Sequence, residues 1–113
     1  MLKKLIILTF FPSLIFSLEL KGKILSKENQ KPLSDVVIIL KDTKGQTFTS
    51  RTEKDGSFYF NELEEGAYEI EVKAIGFYSE KKSFYLKKNE TLTFYLSPLS
   101  TVSLGEIEVK GEK

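Results

Sequence analysis

The sequence predicts an all-β fold, a sandwich of about seven short antiparallel strands, and three features carry the prediction. Residues 55–77 read as turn, strand, turn, strand, turn, with Phe58 and Phe60 on one face and Tyr68, Ile70, Val72 and Ala74 on one face of the next strand. Short runs rich in Val, Ile, Thr, Tyr and Phe recur between residues 18 and 96, each bounded by Gly, Pro, Asp, Asn or Ser. No segment after Ser17 repeats its apolar residues at the helical period, and regular short strands with turn signals between them indicate a sandwich.

Each strand follows from local pattern. Leu18–Leu25 alternates loosely with Leu20 and Ile24 inward, and Gly22 marks either a bulge or a close approach of backbone. Residues 26–34 are polar and hold Pro32, which makes them a loop. Val36–Leu40 is an unbroken apolar run, expected of a central strand covered on one face and partly shielded on the other. Gln46–Thr52 is a strand around Phe48. Glu53-Lys54-Asp55-Gly56 reads as a hairpin turn that brings Ser57–Phe60 back against it. Leu63 tucks inward from the following loop. Ala67–Ala74, Tyr78–Leu86 and Thr91–Leu96 complete the set. Phe48, Phe58, Phe60, Tyr68, Phe84 and Phe94 are the expected aromatic core. Tyr59, Tyr78, Tyr85 and Tyr95 fall on the opposite parity.

The first seventeen residues differ in kind. Met1-Leu2-Lys3-Lys4 is basic, Leu5–Phe16 is apolar, and Ser17 is small, the pattern of a signal-peptide helix cleaved on export. The run is shorter than the ~20 apolar residues of a membrane span and contains Pro12. The domain plan is therefore a leader at 1–17, a sandwich at 18–97 and an extended tail at 98–113. Without the leader the chain has fifteen basic and sixteen acidic residues, a net charge of −1. That balance leaves no electrostatic footprint for nucleic acid. The chain has no cysteine, so an exported domain of this sequence is held by its core and not by disulfides.

Several chemistries lack their residues. The chain has no histidine and no cysteine, which removes triad catalysis, thiol nucleophiles and most transition-metal sites, and no phosphate-binding or dinucleotide-binding motif is present. Glu64 and Glu65 fall in an expected loop and Glu69 and Glu71 on an outward strand face, all read as solvated charge. Asp55 with Glu53 offers too few oxygens for calcium and reads as a turn-maker. No catalytic residue, metal ligand or cofactor site is assigned.

Four pieces in order resemble the carboxypeptidase regulatory-like domain, a transthyretin-like (prealbumin-like) sandwich. Leu20-Lys21-Gly22-Lys23-Ile24 matches its first strand, and Lys31–Leu40 is similar to its x-P-L-x-x-V-x-V-x-L segment. Thr52–Phe60 resembles T-D-x-D-G-x-F-x-F, and Gly66–Val72 with Ile75-Gly76-Phe77 resembles G-x-Y-x-L-x-V followed by x-G-Y/F. The cover is residues 19–96. This chain departs at Glu53, where Asp is frequent, and at Asp35, where Gly is common. The resemblance places Val36, Ile38 and Leu40 inward. It implies a non-enzymatic accessory module.

The resemblance also supplies a context. The module occurs at the N-terminus of TonB-dependent outer-membrane receptors, after the signal peptide and before a TonB-box-like segment, L-x-E-V-V-V-T-G. Leu104-Gly105-Glu106-Ile107-Glu108-Val109-Lys110-Gly111 stands in that place here. Glu106, Ile107, Glu108 and Val109 are the candidate partner-binding residues, because an extended segment of this kind adds as a strand to a partner's sheet edge. The bland alternatives are a frayed terminus or an added edge strand on the sandwich. The expected protein is an exported interaction module of a Gram-negative periplasm or outer membrane, as a truncated receptor or a free module. Its expected partner is a TonB-like envelope protein, with no soluble cofactor. A cell-surface module that binds carbohydrate or peptide is the second reading. A pilin-like sandwich with an internal isopeptide bond is a further one, with Lys21 or Lys23 as the amine.

Overall fold

The computed structural model describes residues 17–99. The leader and the segment with the TonB-box resemblance lie outside the described residues. Seven strands form in chain order: β1 (Leu18–Ser26), β2 (Val37–Asp42), β3 (Thr47–Arg51), β4 (Ser57–Leu63), β5 (Gly66–Lys73), β6 (Glu80–Leu86) and β7 (Glu90–Leu96). They build two sheets, one of three strands ordered β4-β1-β7 and one of four ordered β3-β2-β5-β6. The all-β sandwich expected from the alternating pattern is the fold observed.

Two expectations need correction. The Glu53–Gly56 turn does not close a hairpin: β3 pairs with β2, and β4 pairs antiparallel with β1 in the other sheet. The turn is a corner that carries the chain between sheets. It has the same residue signals as a hairpin, because both need one left-handed position. The sandwich is also not antiparallel throughout, since β1 and β7 pair in parallel from Leu20 beside Glu90 to Ser26 beside Leu96. Each connection reverses the chain, so all odd-numbered strands run one way, and this sheet sets two of them side by side.

The core lies between the sheets and follows the alternation. Leu20, Ile24, Val36, Ile38, Leu40, Phe58, Phe60, Leu63, Tyr68, Ile70, Val72, Leu86, Phe94 and Leu96 are buried. Phe58 and Phe60 meet edge to face with centroids 6.1 Å apart. Phe48 and Phe84, expected in the core, sit half-buried at its margin, with Phe84 stacked on Tyr68. Both belong to strands at the edge of the four-stranded sheet. The Tyr68 hydroxyl donates to the Glu64 carbonyl at 2.6 Å, so the buried ring keeps its polar end paired.

Gly22 marks a close approach, because a Cβ there would collide with the Phe58 ring and the Leu92 carbonyl. The bulge lies elsewhere. Leu18 pairs with Leu63 and Leu20 with Phe60, so two residues of β4, Asn61 and Glu62, oppose one of β1, Glu19. Glu62 takes a left-handed φ of 57° within that bulge. The extra residue shifts the parity of β4 and turns Leu63 inward.

The corner after β3 is built around one buried hydroxyl. Thr52 Oγ1 donates to the Leu33 carbonyl at 2.7 Å and accepts from the Val36 amide at 2.9 Å. Its own amide donates to the Val36 carbonyl at 3.0 Å, and its carbonyl accepts from Asp35 at 3.1 Å. Four residues on, the Gly56 carbonyl accepts from the Ile24 amide at 2.8 Å. Gly56 has a φ of +79°, and a Cβ there would stand 2.7 Å from the Ile24 carbonyl. Asp55 closes the turn by accepting from the Ser57 hydroxyl at 2.6 Å and from the Ser57 amide at 3.0 Å. The hydroxyl bond, then the amide bond, holds the Asp55 carboxyl below its usual range.

Two outcomes follow for stability. Thr52→Val leaves the buried Val36 amide and the part-buried Leu33 carbonyl without their partner, and should cost about 1–3 kcal/mol in urea denaturation. Thr52→Ser keeps the hydroxyl and should lose far less. Asp35 has a left-handed φ of 58° and is exposed, so its substitutions report backbone conformation alone. Asp35→Gly should range from neutral to about 1 kcal/mol more stable, whereas Asp35→Val should lose about 1–3 kcal/mol. Equal midpoints for the two would show that the left-handed turn carries no strain.

Candidate interaction surfaces

The interior offers packing rather than chemistry. Among the described residues the buried polar ones are Ser26 and Thr52, and the Thr52 hydroxyl is spent on backbone. No group of three or more His, Cys, Asp or Glu side chains among the described residues is arranged to hold a metal ion. Glu64 and Glu65 are exposed between β4 and β5, and Glu64 lies 3.6 Å from Lys44. Glu69 and Glu71 are half-buried on the outer face of β5, with Glu71 4.0 Å from Lys73. Lys21 and Lys23 are exposed on the outer face of β1, and no Lys or Asn among the described residues is buried. An internal isopeptide bond needs a buried amine beside a buried amide, and the described residues between the sheets hold neither.

The tyrosines of outward parity are exposed: Tyr59, Tyr78, Tyr85 and Tyr95. They do not form one platform. Tyr59 pairs beside Lys21 and Tyr95 beside Leu25, on opposite flanks of β1. Four residues along the strand and two strands across put them about 16 Å apart. Tyr85 is on β6, in the other sheet. Tyr59 donates to the Glu19 carboxylate at 2.9 Å, and this bond raises the pKa of its phenol. These rings act in part as packing and hydrogen-bonding groups on the sheet surface.

Two features lay beyond the sequence reading. The first is a tip at the pole where β5 and β7 end. Ile75 there is fully exposed, and Leu99 and Tyr78 are about half exposed. The Leu99 amide donates to the Gly76 carbonyl at 2.8 Å and the Tyr78 amide to the Ser97 carbonyl at 2.9 Å, so residues 97–99 are tied to the β5–β6 corner. The second is a notch between β6 and β7, the outer strands of their sheets among the described residues, lined by Lys27, Lys81, Lys82, Thr93, Phe94 and Tyr95, with Gln30 and Glu80. Glu80 and Lys82 share the inward parity of Phe84 and Leu86 yet are exposed. That break in alternation is the signal a sequence reading can use. The candidate residues Glu106, Ile107, Glu108 and Val109 lie outside the described residues.

Comparison with known proteins agrees with this architecture. The family model described as the CarboxypepD_reg-like domain matches residues 20–109. No curated protein matches the chain with significance. Among solved structures, Klebsiella pneumoniae 5-hydroxyisourate hydrolase is similar with a TM-score of 0.61 at 19% identity, over 74% of this chain and 92% of that one. The group B streptococcus pilus 2b backbone protein is similar with a TM-score of 0.65 at 16% identity, over 74% of this chain and 42% of that one. A putative carbohydrate binding protein from Bacteroides uniformis is similar with a TM-score of 0.59 at 17% identity, over 71% of this chain and 41% of that one. The chain thus spans under half the length of the latter two, and at these identities the likeness is one of fold. The seven strands, their two sheets and a family match across most of the sequence lead to one assignment: the chain belongs to the carboxypeptidase regulatory-like domain family.

Proposed function

We propose that this domain is a non-enzymatic interaction module of the Gram-negative cell envelope, of the kind that stands at the N-terminus of TonB-dependent outer-membrane receptors. The observation that carries the reading is the parallel pairing of β1 and β7. It sets Leu18 and Leu99 at opposite poles, separated by roughly the length of a nine-residue strand, about 27–30 Å. A domain with such poles sits in line between an N-terminal leader and a C-terminal tail, and transmits position rather than chemistry. The buried polar groups among the described residues favour the same reading, since Thr52 serves the scaffold and no buried titratable carboxylate or amine accompanies it. The leader pattern favours export to the periplasm, and the order of leader, sandwich and box-like tail favours a TonB-like partner for Glu106, Ile107, Glu108 and Val109.

The exported protein, titrated with the periplasmic C-terminal domain of TonB and followed by amide NMR, should shift at residues 104–111 and leave β2 and β5 unchanged. Val109→Pro, which removes a strand donor, should abolish the shifts. Unchanged spectra at saturating TonB domain would reject the reading. The second reading, carbohydrate recognition, is favoured by the four exposed tyrosines and by the fold shared with a putative carbohydrate binding protein. A glycan array read against Tyr85→Ser and Tyr95→Ser should then show signal lost in the variants, and a blank array removes it.

A further inference from the structure

The two sheets are unequal, and the shortfall falls on one side. The three-stranded sheet ends at β7, whose backbone pairs with β1 on one flank and with no strand among the described residues on the other. On the strands that flank the gap, Phe84 of β6 and Leu92 of β7 are half-buried and packed against the core. An unpaired edge beside half-covered apolar side chains is a template for one more strand. Lys27, Lys81 and Lys82 rim the notch together with Gln30 and Glu80, and Phe94 lines it.

One segment of this chain has the chemistry and the position to fill it. The family match continues to residue 109, ten residues past Leu99, so the domain as a family unit includes more chain than the seven strands. Residues 97–99 are tied to Gly76 and Tyr78 beside the open flank, which starts the following chain at the mouth of the notch. Leu104–Lys110 has seven residues, the length of β7, and residues 97–103 supply a seven-residue connection from the end of β7. A link of that length is too short for the crossover a parallel pair needs, so the two strands would pair antiparallel. Glu106 and Glu108 alternate with Ile107 and Val109, so a strand of this segment would have one apolar face and one acidic face, and the three lysines of the rim outnumber Glu80.

We propose that residues 104–110 pair in cis with the free edge of β7 and fill the notch between β6 and β7. The proposal rests on the reading of this tail as the partner-binding segment, and it adds regulation. The strand offered to a partner is first held by its own domain, and the partner must displace it.

Hydrogen exchange of the exported protein without any partner tests it, which keeps the outcome separate from the TonB titration. The β7 amides that do not face β1 should exchange at least about tenfold more slowly in the full chain than in a chain ending at Leu99. Ile107→Pro in the full chain should release the same amides while β2 and β5 stay unchanged, which separates loss of the strand from loss of the fold. Equal exchange of those β7 amides in all three proteins would overturn the proposal. Protection that grows with protein concentration would overturn it too, because it assigns the edge to a second copy.

Discussion

The corner at Thr52–Gly56 is the constraint on which the rest of the structure depends. Four hydrogen bonds through Thr52 lock the end of β3 to residues 33–36, and the Gly56 carbonyl then takes the Ile24 amide of β1. The chain leaves one sheet and enters the other within five residues, 52–56. Without the Thr52 hydroxyl, the loop before β2 has buried backbone groups and no partner for them. Without a left-handed glycine at 56, the turn meets the Ile24 carbonyl. Local polar contacts therefore decide how two apolar surfaces face each other, and the hydrophobic effect, which has no direction, supplies the force that closes them.

From that corner the topology follows. Once β4 is delivered to β1 and not to β3, β1 becomes the centre of the smaller sheet, with β7 on its other flank. The odd count of strands between makes that pair parallel and sends the two ends of the domain to opposite poles. Among the described residues the same arrangement leaves β7 paired on one flank alone, and sets three strands against four. Native sheets blunt such edges with charge. Glu80 and Lys82, exposed at inward parity, have that character here. Exposed charge of both signs at this flank disfavours pairing with a wholly apolar strand.

The residues with the strongest family look proved to be structural. Asp55 and Gly56 make the turn, Phe58 and Phe60 pack the interior, and Tyr68 fixes the start of β5 through the Glu64 carbonyl. A scaffold so fully occupied leaves its poles and edges for function. The fold it shares with a hydrolase, a pilus protein and a putative carbohydrate binding protein is a frame, and activity belongs to what each chain places upon it.

The sequence by itself determined the strands, their faces and most of the core, because alternation and turn residues act over a few positions. Phe58, Phe60, Tyr68, Ile70 and Val72 could be assigned inward and Tyr59, Tyr85 and Tyr95 outward from parity alone. Strand partners were decided only in three dimensions. Asp55-Gly56 is the same signal in a hairpin and in a corner between sheets, and the choice rests on Thr52 meeting Leu33 and Val36, sixteen and more residues away. The bulge at Glu62 shifted the face of Leu63 by register with β1. The notch left one local trace, charge at the inward parity of Glu80 and Lys82, but Lys27, Lys82 and Thr93 come together only when β6 and β7 lie at adjacent edges of opposite sheets. Periodicity is a local property that a chain carries in one dimension; pairing and edges belong to segments far apart in sequence, and only the closed core brings them together.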